Sequence, residues 1–96
     1  MELLITYDVS TETKAGQKRL RHVAKTCQAF GQRVQKSVFE CRVTETQWVD
    51  LRHRLETTID HECDSLRIYR LREPYKTFVI LVGKQPAYDI REPLII

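Results

Sequence analysis

The chain has 96 residues with 16 Lys or Arg against 13 Asp or Glu, which gives a net charge of +3 and a pI near 8.9. A chain of this length forms one domain and buries only about two thirds of its unfolded surface, which leaves little room for a deep catalytic cleft. We therefore expect any active site to be shallow or shared between two copies. The mild positive charge favours a polyanionic partner such as nucleic acid.

The cysteine content and the hydrophobic pattern indicate where the protein works. Cys27, Cys41 and Cys63 are odd in number and contain no C-x-x-C pair, which is typical of reduced thiols. The chain starts on a strand-like segment without a signal-peptide pattern, and it lacks the run of about 18 apolar residues that a membrane helix needs. We expect a soluble cytoplasmic protein without membrane contact.

The first two elements are predicted by hydrophobic patterning. A continuous apolar run leading to Tyr7 and Asp8 predicts a central strand over residues 2–9 that is buried on both faces. Capping residues at positions 10–13, followed by apolar residues at helical spacing as far as Gly31, predict a helix over residues 14–29.

The middle of the chain has one ambiguous segment. Residues 33–43 are rich in β-branched and aromatic side chains, but their alternation slips near residues 36–38. The slip indicates either one bulged strand or two short strands joined by a tight bend. A capping-box pattern at Thr44 and Gln47 then predicts a second helix over residues 45–59.

Two further strands are predicted, over residues 66–71 and 78–82. The pattern favours an α+β, ferredoxin-like (split βαβ) sandwich, in which an antiparallel sheet carries both helices on one face. The other face needs a cover, and a homodimer packed sheet to sheet supplies it most simply. We expect this domain to span residues 1–83, with residues 84–96 as a tail whose apolar end docks on a protein surface.

Asp8 is the main candidate for chemistry, because it ends a central strand at an edge where α/β folds commonly place functional side chains. Its alternative role is to cap the loop that leads into the first helix. One carboxylate cannot form an acid/base pair, but Mg²⁺ needs only one or two carboxylates together with phosphate oxygens. Two copies of Asp8 facing each other across a dimer axis would meet that need.

The other candidate groups are weaker. His22, His53 and His61 share no metal-binding spacing, and the run from His61 to Asp64 is interpreted as a loop turn. Basic residues on the first helix, among them Lys14, Lys18, Arg19 and Arg21, either follow a phosphate backbone or stay solvated. No RNP1-like aromatic octamer is present, which argues against base stacking. A small-ligand regulatory domain on this fold stays open, although no Gly-rich phosphate loop supports it.

Four segments carry a resemblance to a known family: ITYDV, KRLRHVAK, GQRVQKSVFEC and DSLRIYRL. In this order and at this spacing, they resemble the CRISPR-associated protein two family over essentially the whole chain. The ending YDIREPLII is most similar to the members that accompany type I-C systems.

The resemblance implies a symmetric ferredoxin-like dimer in which the two Asp8 side chains hold Mg²⁺ or Mn²⁺. It also implies that this dimer is a metal-dependent endonuclease of RNA or double-stranded DNA. Arg33 would join Asp8 in catalysis by positioning the phosphate. This endonuclease would act with the CRISPR integrase in spacer acquisition, and in the alternative the dimer is a noncatalytic DNA-bridging scaffold of the integrase complex. The tail would dock on the dimer partner or on the integrase. The residues expected to contact nucleic acid are Tyr7, Arg33, Ser37 and Phe39, with Arg19 or Arg21 and the helix lysines Lys14 and Lys18.

Overall fold

Four strands and two helices make up the part of the chain that the computed structural model describes, residues 1–72 and 79–85. In chain order they are β1 (Glu2–Asp8), α1 (Lys14–Phe30), β2 (Gly31–Gln35), β3 (Val38–Arg42), α2 (Glu45–Thr58) and β4 (Ser65–Leu71).

The sheet is antiparallel between all neighbours, and its strand order is β2-β3-β1-β4. Because β3 is antiparallel to both β1 and β2, these two strands run in the same direction with β3 between them. That is the split βαβ arrangement predicted from the sequence. The central position predicted for β1 is also confirmed.

One face of the sheet packs against both helices and forms the core. Leu3 and Ile5 of β1 and Phe39 of β3 lie on this face and are at most 1% exposed. They pack in one cluster with residues of both helices, and each fully buried large side chain contributes about 1.5–3 kcal/mol. The helix residues in the cluster are Val23, Cys27, Leu51 and Leu55.

The opposite face, which we call the open face, carries the alternate residues of β1. Leu4 and Thr6 are only half-buried there, and Tyr69 of β4, paired with Leu4, is 44% exposed. The expectation that β1 is buried on both faces is therefore wrong for a single chain. Both helices of the described residues pack on the other face, so neither covers this one.

Residues 33–43, ambiguous in the sequence, form the end of β2 and all of β3, with a turn at Lys36 and Ser37. The register shifts between Arg33 and Gln35, so the hairpin also contains an irregularity. A glycine is required at position 31, because a Cβ there would clash with the Glu40 carbonyl of β3. The extended backbone of Gly31 ends α1 and starts β2 without an intervening loop.

Both helix starts follow the capping chemistry of the sequence. The Thr13 hydroxyl accepts a hydrogen bond of 3.0 Å from the Gly16 amide at the start of α1. Thr44 and Gln47 form the predicted capping box at the start of α2, with bonds of 3.2 and 2.9 Å. Such a cap stabilises a helix by roughly 1 kcal/mol.

The strand predicted over residues 78–82 is wrong where the structure describes it, because residues 79–82 form no strand. Ile80 is 89% exposed and Val82 is 83% exposed, so these side chains have β propensity without a neighbouring strand in the described part. Phe78 and residues 86–96 lie outside the described residues. The boundary at residue 83 and the docking of the tail stay predictions.

Two expectations about cysteines and membranes can be compared with the structure. The three cysteines are free, as predicted, with Cys27 and Cys41 buried and Cys63 exposed. Burial raises the pKa of the Cys27 and Cys41 thiols to about 12, so neither is a reactive thiolate. Neither helix of the described residues has the length and apolar composition needed to cross a bilayer.

Candidate nucleic-acid interface and carboxylate site

Asp8 is the last residue of β1 and lies opposite Ser65 of β4. It is exposed, and strand alternation places it on the open face with Thr6. Its carboxylate makes no hydrogen bond or ion pair with any residue in ranges 1–72 and 79–85. The capping alternative is wrong, because Thr13 caps α1. Asp8 is therefore a free carboxylate at the end of a central strand.

A cleft of about 630 Å³ lies between α1 and the β2–β3 hairpin. Its basic groups are Arg21 from α1, Arg33 from β2 and Lys36 from the turn, and no carboxylate of the described residues lines it. The cleft therefore concentrates positive charge, which suits a phosphate-bearing ligand. The remaining lining residues are apolar or uncharged: Tyr7, Leu20, Ala24, Val34, Gln35 and Ser37.

Stacking on the sheet holds the Arg33 guanidinium in place. Its Cζ atom lies 5.1 Å from the centroid of the Phe39 ring, and the Phe39 and Tyr7 rings stack with centroids 6.2 Å apart. Burial raises the pKa of the Tyr7 phenol, and the neighbouring Arg33 guanidinium opposes that rise. Because Phe39 is 0% and Tyr7 is 6% exposed, these aromatic residues support Arg33 and present little surface to a ligand.

The structure separates the two arginines of α1 that the sequence left as alternatives. The Arg19 Nε donates a hydrogen bond of 2.8 Å to Oδ2 of Asp64, whose side chain is fully buried. Arg21 is exposed and lines the cleft. Of the two, Arg21 is therefore the residue available to a ligand, and Arg19 has a structural contact. Lys14 and Lys18 are exposed on α1 and do not line the cleft.

The predicted site residues fall into two groups on opposite faces of the sheet. Tyr7, Arg21, Arg33 and Ser37 surround the cleft on the helix side, and the Tyr7 amide donates a hydrogen bond of 3.1 Å to the Ser37 carbonyl. Asp8 follows Tyr7 directly but faces the other way. Within one chain, Asp8 and Arg33 therefore do not form a joint site.

Sequence reasoning missed two residues. Lys36 lines the cleft from the hairpin turn, and the break in strand alternation at that position was the signal that could have found it. Asp64 was interpreted only as part of a turn, although its carboxylate is the most heavily bonded side chain among the described residues. Nothing local in the sequence pairs it with Arg19, which is 45 positions away.

The predicted binding of Mg²⁺ or Mn²⁺ depends on which metal-ligating side chains one chain offers. The described residues contain no group of three or more His, Cys, Asp or Glu side chains able to hold a metal ion. Asp8 provides a hard oxygen donor of the kind that Mg²⁺ and Mn²⁺ prefer, and no described residue bonds to its carboxylate. Asp8 thus fits such a site as one of the one or two carboxylates that the ion uses, and a second one would come from outside the described residues.

The fold and these surfaces define a small α+β sheet protein with a cationic cleft and a free carboxylate on the opposite face. Residues 1–77 match the family model described as CRISPR associated protein Cas2. The match spans most of the chain, and the chain belongs to this family.

Relatives of known name are similar over nearly their full length. A CRISPR-associated endoribonuclease Cas2 of Moorella thermoacetica is 59% identical over 96 residues, covering 100% of both chains. A CRISPR-associated endonuclease Cas2 of Halalkalibacterium halodurans is 57% identical, covering 99% of both. The crystal structure of Streptococcus pyogenes Cas2 at pH 6.5 is similar with a TM-score of 0.77 and 55% identity, covering 86% of this chain and 100% of that one.

Proposed function

We propose that this chain is a metal-dependent endonuclease that hydrolyses phosphodiester bonds of RNA or DNA in CRISPR adaptation. The observation that carries the proposal is the exposed carboxylate of Asp8 at the end of β1, which bonds to none of the described residues. A carboxylate without a structural partner is available to bind a metal ion. The names of the relatives from Moorella thermoacetica and Halalkalibacterium halodurans, an endoribonuclease and an endonuclease, support the reaction class.

The second carboxylate in this proposal comes from a second copy of the chain. The open face is the surface through which two sheets would pack, because no helix of the described residues covers the apolar area of Leu4 and Tyr69 there. Packing across a two-fold axis would bring Asp8 of each chain toward its twin. Mg²⁺ or Mn²⁺ held by the pair would activate water and neutralise charge on the phosphate.

The cleft supplies the binding part of the proposed function. Arg33, fixed by its stack on Phe39, offers a planar guanidinium to a phosphate, and Arg21 and Lys36 add charge at the same site. The cleft is on the helix side of the sheet and Asp8 is on the open face. We therefore propose that the cleft binds the nucleic-acid backbone at a distance from the phosphodiester bond that is cut at Asp8. The catalytic role predicted for Arg33 stays a prediction.

The test compares cleavage of defined RNA and double-stranded DNA by wild type and Asp8→Asn, each with Mg²⁺ or EDTA. We expect cleavage only by wild type with Mg²⁺, because the substitution removes the metal-binding charge without changing the shape of the side chain. Equal cleavage by both proteins would contradict the proposal and identify a contaminating nuclease.

A second candidate function is a noncatalytic scaffold that bridges DNA beside the CRISPR integrase. The cleft favours it, because three basic groups without a carboxylate bind a phosphate backbone whether or not the chain cuts it. A spacer-acquisition assay separates the two functions. Acquisition that persists in Asp8→Ala while cleavage is lost favours the scaffold, and loss of both favours the endonuclease.

Two finer proposals concern the C-terminal tail, of which only residues 84 and 85 lie in the described ranges. We propose that residues 84–96 dock on the integrase, and that the YDIREPLII ending places the chain with the type I-C members. Removing residues 93–96 should weaken integrase binding in a pull-down with purified proteins. Unchanged binding would reject the docking role.

We also propose that the protein acts in the cytoplasm, because its three cysteines are free thiols.

A further inference from the structure

One buried carboxylate ties together the three segments that surround the end of β1. Asp64 Oδ1 accepts a hydrogen bond of 3.0 Å from the Ser10 amide, and Oδ2 accepts bonds of 2.8 Å from the Asp60 amide and from Arg19 Nε. The Asp64 side chain is fully buried. The loop after β1, helix α1 and the loop before β4 therefore meet at one side chain.

These bonds fix the backbone on the C-terminal side of Asp8. The β1–β4 ladder ends at the Asp8 and Ser65 pair, so the chain beyond Asp8 has no strand partner. Val9 is anchored in the core, and the Ser10 amide is bound by Asp64, which itself directly precedes Ser65. Asp8 thus lies between a ladder pair on one side and the Asp64 bond on the other.

The carbonyl group of Ser10 is fixed by packing against α1. A Cβ atom at position 16 would clash with the Ser10 carbonyl oxygen, so the first turn of α1 packs directly against it. Only glycine at position 16 allows this contact. Ser10 is therefore contacted at both its amide and its carbonyl, which fixes the start of the loop that follows Asp8.

The Asp64 carboxylate has its hydrogen-bond and charge partners within the chain. Burial alone raises the pKa of the Asp64 carboxyl, but the bonds from Arg19 and from the Asp60 and Ser10 amides outweigh burial and bring the pKa to about 2. Both oxygens already accept hydrogen bonds, and Arg19 balances the charge. Asp64 is accordingly not a free ligand for a metal ion.

We propose that Asp64, held by Arg19, is the positioning residue for the Asp8 carboxylate. The inference rests on the proposed metal-dependent function. An ion shared by two chains tolerates little displacement of its ligands, because Mg²⁺ requires oxygen distances of about 2.0–2.1 Å and near-octahedral geometry. A rigid loop after Asp8 sets the ligand in place before the ion arrives.

The test uses Asp64→Asn, with Asp50→Asn as the matched control. Asp50 pairs with Arg54 on the exposed surface of α2, so the control makes the same chemical change away from the loop. Two quantities are measured: hydrogen exchange of the Ser10 amide in EDTA, and Mn²⁺ affinity by electron paramagnetic resonance. We expect Asp64→Asn to speed exchange and to weaken Mn²⁺ binding by roughly tenfold, the low end of the range for groups that bond directly to a ligand, because Asp64 acts on Asp8 only through the backbone at Ser10. The control should match wild type.

The same titration includes Asp8→Asn, which tests the proposed function separately. Equal Mn²⁺ binding by wild type and Asp8→Asn overturns the proposed function and this inference with it. If Asp8→Asn loses the ion while Asp64→Asn binds it within about twofold of wild type, only the positioning role is overturned.

A second pair of variants covers the case in which Asp64→Asn does not fold. Arg19→Gln removes the charge that holds Asp64, and Arg19→Lys keeps it. We expect weaker Mn²⁺ binding in Arg19→Gln and partial rescue in Arg19→Lys. Affinities equal to wild type in both variants, with faster Ser10 exchange in Arg19→Gln, overturn the proposal.

Discussion

The two faces of the sheet differ in how far the described residues cover them. The helix-covered face contains the buried core and a cationic cleft built from side chains of one chain. The open face has half-buried Leu4 and Thr6, an exposed Tyr69, and Asp8, whose carboxylate has no partner in the part of the chain that the structure describes. The residues of the cleft therefore come from one chain, whereas the proposed metal site takes a carboxylate from each of two chains.

Strand β1 shows how the sequence separates these tasks. Tyr7 faces the helices and supports the cleft, and Asp8, the next residue, faces the open side. Because side chains alternate along a strand, adjacent residues serve opposite surfaces. The groups proposed for binding and for cleavage can therefore be changed independently.

The largest expected effect comes from charging the open face. Tyr69→Glu places like charges in the proposed sheet-to-sheet contact, so we expect monomers of 11.4 kDa by light scattering and a loss of cleavage of roughly a hundredfold or more. Val49→Glu is the control, because Val49 is also apolar and 67% exposed but lies on α2. A Tyr69→Glu variant that remains a fully active dimer would reject the open face as the interface.

A smaller effect is expected from the cleft. Arg21→Gln combined with Arg33→Gln should weaken binding of duplex DNA and reduce the slope of log affinity against log salt by about 1.8, the value for two lost phosphate contacts. The Mn²⁺ affinity should not change, because the cleft is on the other face. Lys25→Gln is the control, as this α1 residue lies outside the cleft. An unchanged salt slope would show that nucleic acid binds elsewhere.

The contact between α1 and the loop after β1 predicts that a Gly→Ala substitution, which usually stabilises a helix, destabilises this protein at Gly16. Gly→Ala in an open helix interior stabilises by roughly 0.5–1 kcal/mol. At Gly16 the added methyl group would clash with the Ser10 carbonyl, so we expect Gly16→Ala to lower the free energy of unfolding by about 1–3 kcal/mol. Urea unfolding measures it, with Gln28→Ala as the exposed control on the same helix. A more stable Gly16→Ala would contradict the packing.

The smallest expected effect concerns acid stability. The pKa of the Asp64 carboxyl is lowered from 3.8 to about 2, so its charged form stabilises the folded state above about pH 4, and this contribution is lost as pH falls through 2. The stability difference between wild type and Asp64→Asn, about 1 kcal/mol at neutral pH, should shrink over that range. Urea unfolding at pH 7, 5, 3 and 2 measures it. A constant difference would indicate an uncharged contact.

The parts of the fold that depend on local chemistry could be predicted from the sequence. Capping residues Thr13 and Thr44 gave the helix starts, and the apolar run of β1 gave its central position. The strand expected over residues 78–82 is absent at residues 79–82, because strand formation needs a neighbouring strand and the described residues offer none there.

The candidate site was predictable only in part. The residue types at Asp8 and Arg33 indicated phosphate chemistry, but their placement on opposite faces depends on the bend at Lys36 and the register shift before it. The contact of Arg19 with Asp64 joins residues 45 positions apart, which no local pattern reveals. That contact decides between Arg19 and Arg21 at the cleft.

The most direct test of the account is the stoichiometry of Mn²⁺ binding to wild type and Asp8→Asn, measured by calorimetry without nucleic acid. If two open faces join and two Asp8 carboxylates share one ion, wild type should bind one Mn²⁺ per two chains and Asp8→Asn none. One ion per chain in wild type, or undiminished binding by Asp8→Asn, would contradict the shared carboxylate site.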